Sequence, residues 1–78
     1  MAKKQDRLPP QNLEAEKTVL GSILIDPEAF IKVADILVAQ DFYDDRHQVI
    51  YATMEKMFEK NKPIDLVTLT EELRRSKK

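Results

Sequence analysis

The stretch Leu8 to Phe30, LPPQNLEAEKTVLGSILIDPEAF, limits the possible folds more than any other, because it writes one complete helix and the signal that starts a second. Pro9 and Pro10 lack an N–H donor and push their predecessors into extended geometry, so the chain should arrive as a stiff strap. Asn12 is a good N-cap, and Glu14 and Glu16 place carboxylates in the first turn, where the positive end of the helix dipole favours them. Leu13, Leu20 and Leu24 fall on one stripe with Val19 and Ile23 beside them, which predicts a helix from about Leu13 to Ile25 with a wide face to bury. Asp26 can cap the next helix, and Pro27 suits its first turn, where a missing N–H is harmless.

The same punctuation recurs downstream. A second helix from Pro27 to about Val38 would turn Phe30, Val33, Ala34, Leu37 and Val38 inward. Phe42 and Tyr43 are too large and apolar for a plain loop, so both are expected to fold back as a plug. Asp44 or Asp45 can cap a third helix, RHQVIYATMEKMFEKN, with Val49, Ile50, Thr53, Met54, Met57 and Phe58 at helical spacing. Asn61 suits a left-handed C-terminal residue and Pro63 stops the helix, which places a turn over Asn61 to Ile64. In Asp65 to Arg75, Val67, Thr68 and Thr70 are β-branched and could begin a strand, but Leu66, Leu69 and Leu73 form a helical stripe. Asp65 can cap that fourth helix, Thr68 with Glu71 offers another start, and Glu71 with Arg75 a favourable pair.

The expected fold is therefore all-α, a small bundle of about four short amphipathic helices without a sheet. Its core is drawn from Leu13, Leu20, Ile23, Leu24, Phe30, Leu37, Phe42, Ile50, Met54, Phe58, Leu69 and Leu73, with Asn12, Asp26 and Asp65 as caps. Residues 1–7 are polar and uncapped and are read as a disordered lead; residues 8–78 make one helical domain. Gly21, the sole glycine, sits inside the first helix, where glycine costs about 1 kcal/mol against alanine, so close approach of another helix or a partner is expected there.

Composition narrows the chemistry. A chain of 78 residues buries only about 60 to 65% of its unfolded surface, so its own core is marginal and a partner or sister subunit is expected. The absence of cysteine excludes disulfides and thiolate metal sites and fits a reducing, cytoplasmic setting. The longest apolar stretch, Val19 to Ile25, is far too short to span a bilayer. A net charge of −1 conceals basic ends: Lys3, Lys4, Arg7, Arg74, Arg75, Lys77 and Lys78 hold seven of the thirteen positive charges. Residues 8–73 carry six basic and thirteen acidic side chains, a net of −7, which opposes direct DNA binding by the body.

One glycine cannot build a phosphate-cradling loop, and Ser22 in a buried-looking helix or Ser76 in the tail makes a poor catalytic serine. Asp41, Asp44, Asp45 and His47 could ligate a metal, but acidic residues before a helix are what capping selects, and a histidine in a first turn is usually a surface or packing residue. Glu14 with Glu16 and Glu71 with Glu72 read as solvated helix starts, since nothing nearby in sequence would perturb them. Met54, Met57 and Phe58 fit core packing or an adaptable partner groove; Tyr43 and Tyr51 fit an interface edge or a half-buried place at the surface. No catalytic, cofactor-binding or metal residue is assigned.

The order LPPQNLEAEKTVLGSILIDPEAF, then DFYDDRHQVIY, then KPIDLVTLTEEL resembles the N-terminal domain of the bacterial replicative DNA helicases of the DnaB type, over about Leu8 to Leu73. The resemblance implies a non-catalytic assembly and protein-docking domain from a hexameric, ATP-dependent helicase that unwinds DNA at the replication fork and receives primase. In that family ATP and magnesium belong to a C-terminal domain, so the sequence, ending at Lys78, is read as an excised piece without enzyme activity. Self-association, primase and a helicase loader are the implied partners, with little direct DNA binding and no membrane. No primase-contact residue is carried over. The alternatives are a small helical DNA-binding module or a bacterial adaptor.

Overall fold

The computed structural model describes residues 12–76. They form four α-helices and one 3-10 turn, with no strand among the described residues: α1 Leu13–Ile25, α2 Ala29–Ala34, the 3-10 turn Ala39–Asp41, α3 Asp45–Glu59 and α4 Leu66–Ser76. The lead and the Leu8 to Pro10 strap lie outside the described residues.

Local chemistry sets most boundaries. The Asn12 side chain accepts from the Ala15 N–H at 3.0 Å, closing the start of α1. Asp26 accepts from the Glu28 N–H at 3.2 Å and turns the chain, but regular helix begins at Ala29, and the carbonyls of Asp26, Pro27 and Glu28 accept three backbone bonds of the i to i+3 type. At the end of α3, Lys62 N–H reaches the Met57 carbonyl at 2.9 Å and Asn61 N–H the Phe58 carbonyl at 3.1 Å, with Asn61 at φ 59°. That double closure is a Schellman cap, and asparagine tolerates its left-handed residue. Asp65 and Thr68 cap α4 reciprocally: each side chain accepts the other's backbone N–H, at 2.9 and 3.0 Å. Thr68 thus completes the Asp65 cap rather than starting a helix with Glu71.

α2 is shorter than the apolar pattern predicts. It ends at Ala34 because Asp35 and Ile36 are exposed and bury nothing, and because Val38 is extended with its N–H taken by Asp41 at 2.9 Å. Ala34 and Val38 are exposed in consequence, while Val33 and Leu37 pack against the core.

The core joins α1, α2, α3 and the start of α4 through Leu20, Ile23, Phe30, Phe42, Tyr51, Met54, Met57, Ile64 and Leu69. Leu24, Leu37, Ile50 and Leu73 are partly buried against it; Leu13 is half-buried. Thr53, Met54 and Met57 of the expected α3 stripe are buried and Ile50 partly so, but His47 and Tyr51 complete the buried seam, and Val49 and Phe58 face outward. Tyr51 decides this register: its ring packs against Phe30 at 5.7 Å and Phe42 at 5.1 Å, and its hydroxyl donates to the Leu37 carbonyl at 3.0 Å. Phe58, expected in the core, is 45% exposed; one face meets Phe30 at 5.0 Å and the other is uncovered. Phe42 is buried as a plug, whereas Tyr43 is exposed, because consecutive residues in extended chain point to opposite sides. Leu66 also lies outside, since the first turn of α4 projects beyond the core.

Two further expectations are altered. A methyl group built on Gly21 meets nothing within 4 Å, so among the described residues no neighbouring helix approaches there, and of the two readings only a partner's approach is left. Glu72, not Glu71, makes the ion pair of α4, and it reaches Lys62 at 2.5 Å rather than an arginine one turn on.

Candidate functional site

Glu16 was expected among solvated carboxylates, and the fold buries it to 1% exposure. It sits one turn into α1, on the face that meets the start of α3. Its carboxylate accepts from the backbone N–H groups of Tyr43 at 2.5 Å and Asp44 at 3.3 Å, and lies 2.7 Å from Nδ1 of His47. An ionised Glu16 has no proton to give, so the imidazole donates from Nδ1. Tyr43 and Asp44 lead directly into α3, so one carboxylate from a distant helix supplies acceptors to the segment entering that helix, near the positive end of its dipole. Three donors converge on two oxygens, which satisfies a buried charge that would otherwise be strongly unfavourable.

His47 is 8% exposed and meets the edge of Phe42, with ring centroids 6.5 Å apart. Gln48 adds a bond from Nε2 to the Phe42 carbonyl at 2.7 Å, so the plug is tied at side chain and backbone. Beside it, Asp44 caps α3 through the Arg46 N–H at 2.8 Å and pairs with the Arg46 guanidinium at 3.0 Å. The hydrogen bond from the Arg46 side chain is the main reason the Asp44 carboxyl is lowered to about 2. Burial pushes the Tyr51 phenol up to about 12, with Glu55 and Asp41 adding to it, and burial also raises Glu55.

This junction brings together Glu16, Asp44 and His47 of the acidic and histidine residues weighed from the sequence. It does not gather Asp41, Asp44, Asp45 and His47 round a metal, and no group of three such side chains able to hold one occurs among the described residues. With Glu16 and His47 shut from solvent, a substrate has no access to the pair, and its chemistry is that of a clamp. The sequence signal for it was faint: an i, i+4 step from Glu16 to Leu20 and on to Ile23 and Leu24 puts the carboxylate on the apolar stripe.

Several large hydrophobic side chains face outward among the charged ones. Ile25 is 86% exposed, Val67 69%, Ile36 68% and Leu66 66%. Ile31, Val38, Tyr43, Val49 and Phe58 are exposed as well. No helix among the described residues is long and apolar enough to cross a membrane.

The family described as the DnaB-like helicase N terminal domain matches residues 8–78. The chain is 50% identical over 70 residues to the replicative DNA helicase DnaB of Rhodothermus marinus, covering 90% of this chain and 7% of that protein. It is 44% identical over 68 residues to the replicative DNA helicase DnaB of Geobacillus stearothermophilus, covering 87% of this chain and 15% of that protein. Among solved structures, the N-terminal domain of DnaB helicase from Mycobacterium tuberculosis superimposes with a TM-score of 0.82 at 38% identity, over 87% of this chain and 49% of that one. The chain thus spans a small fraction of the curated relatives it matches. With the family match over nearly its whole length and the same helical fold at 38% identity, the chain belongs to the DnaB-like helicase N-terminal domain family.

Proposed function

We propose that this domain is a non-catalytic assembly and docking module of a hexameric, ATP-dependent replicative helicase that unwinds the replication fork. The observation that carries the reading is the set of large hydrophobic side chains left on the outside of a domain whose buried Glu16–His47 pair is closed to substrate. Contiguous exposed apolar surface marks protein contacts, and on this reading these side chains contribute to such a surface. Self-association within the ring, primase and a helicase loader are the partners this reading implies. ATP and magnesium would act in another domain of the complete polypeptide. The acidic balance of residues 8–73 argues against the domain gripping DNA itself.

The test places Ile36→Asp and Val49→Asp in a complete helicase polypeptide that carries this domain. Ring assembly by light scattering or primase retention should fall at least tenfold while the isolated domain melts as before, and the isolated domain should turn over no ATP. Unchanged assembly and primase retention would reject the reading. So would micromolar duplex binding by residues 8–73 that falls steeply with salt, which would favour the DNA-binding alternative.

A further inference from the structure

We propose that the flank of α3 bearing Phe58, Glu55 and Glu59 docks a basic amphipathic helix of another protein, which lays an apolar side chain on Phe58 and a lysine or arginine on each carboxylate. The inference rests on the reading of the domain as a docking module and adds the chemistry of a partner. Phe58 is 45% exposed with one face on the Phe30 ring at 5.0 Å, so the ring is supported from behind and presented outward. On an α-helix a residue three positions back is a surface neighbour, which sets Glu55 beside Phe58, and Glu59 follows Glu55 one turn on, ~6 Å along the axis. Neither carboxylate has a cation within ion-pair distance among the described residues.

The charges of α3 are sorted between its two sides. Lys60 and Lys62, together with Arg75, act on Glu72 of α4, which puts those cations where α3 turns toward α4. Glu55 lies on the other side, toward α2 and the 3-10 turn: with Asp41 it acts on the Tyr51 phenol, whose hydroxyl donates to the Leu37 carbonyl. Burial raises the Glu55 carboxyl and the like charge of Glu59 raises it further, so in the free domain the two repel across one turn. An incoming cation relieves that repulsion, and an ammonium or guanidinium close to the Phe58 ring gains from its negative face as well. Nucleic acid and an anionic lipid surface are repelled by the same carboxylates. A helix suits the spacing, because its residues i and i+4 match Glu55 and Glu59 turn for turn while an apolar neighbour reaches the ring.

The test is a fluorescence-anisotropy titration of the 78-residue chain into a labelled synthetic helical peptide that carries two lysines four residues apart and a leucine on the same face. Binding should weaken at high salt, and changing the leucine to serine or the lysines to glutamates should each weaken it at least tenfold. On the protein, Glu55→Gln combined with Glu59→Gln should weaken binding at least tenfold without lowering the melting temperature, and Phe58→Ala should do so at a temperature where it is still folded. Glu14→Gln, at an exposed carboxylate of α1, should leave binding within twofold. Absence of binding, equal binding by the double glutamine variant, or an equal loss from Glu14→Gln, which would mean a diffuse attraction to an acidic domain, would each overturn the inference. So would self-association of the wild-type chain that the double glutamine variant abolishes, since the flank would then belong to a second copy. In a complete helicase polypeptide carrying this domain, the double glutamine variant should lower primase or loader retention at least tenfold. If it does not while Ile36→Asp and Val49→Asp do, the docking-module reading stands and this flank is lost; if none of them does, both fall.

Discussion

The Glu16 carboxylate, on α1, lies 2.7 Å from Nδ1 of His47, on α3, across 31 residues of sequence, and both side chains are buried. It also accepts the backbone N–H groups of Tyr43 and Asp44, so a single acidic residue anchors one helix to the entry of another. Removing one partner of a buried pair leaves the other unpaired, and Glu16→Ala is expected to cost about 3–5 kcal/mol. His47→Ala should cost less, because Glu16 keeps two backbone donors. A double-mutant cycle in urea should give a coupling of about 0.5–3 kcal/mol, and simple additivity would show that the pair does not interact.

Gly21 offers a stabilising change. It lies in the middle of α1 with nothing within 4 Å of a built methyl, so Gly21→Ala removes backbone freedom from the unfolded chain without a clash. A gain of about 0.5–1 kcal/mol is expected. At about 4–8 °C per kcal/mol for a domain of this size, calorimetry resolves it. A fall in melting temperature would mean that something packs against this helix in solution.

Acid should loosen the start of α3. The Asp44 carboxyl is lowered from 3.8 to about 2 by its hydrogen bonds with Arg46. A group lowered by folding contributes stability that is fully present above its unfolded value and disappears as pH falls through the folded one. The wild type should therefore lose stability between about pH 4 and pH 2. Asp44→Asn keeps a capping acceptor and removes the titration, so its thermal-melting profile should be flatter in that window. Equal slopes for the two proteins would exclude Asp44 as the source.

The alkaline limb tests Tyr51. Burial raises its phenol from 10.0 to about 12, so the neutral form that donates to Leu37 is favoured by the fold. That stability is present in full below pH 10 and is lost as pH rises through about 12. Tyr51→Phe should remove the loss above pH 10 and lower stability at neutral pH by about 0.5–1.5 kcal/mol, the usual contribution of one hydrogen bond. Parallel alkaline profiles for the two proteins would show that Tyr51 does not control this limb.

Elements governed by near neighbours were legible without tertiary information. Asn12, Asp26, Asn61 and Asp65 each bond within five residues of themselves or sit where a short turn requires them, so type and spacing were enough. The seam of α3 was less legible. Ile50 and Tyr51 are adjacent and both apolar enough for a core, and the choice between them turned on a carbonyl at Leu37 that no local pattern reveals. Phe58 was placed inside by its hydrophobicity, yet among the described residues none covers the side of the domain on which it lies. Glu16 was taken for a surface residue because its partners stand at least 27 residues away.

The sequence by itself determined the all-helical character, the start of each long helix, the left-handed stop at Asn61 and the family, because caps, prolines and apolar spacing act over one or two turns. Only the tertiary structure decided that Glu16 is an internal clamp, that Tyr51 rather than Ile50 faces the centre, and that Ile25, Phe58 and Val67 stay outside. Those outcomes depend on which groups the folded chain brings together, and burial acquires its sign only then: a carboxylate with three donors is stable inside, while an isoleucine left outside the core remains in water.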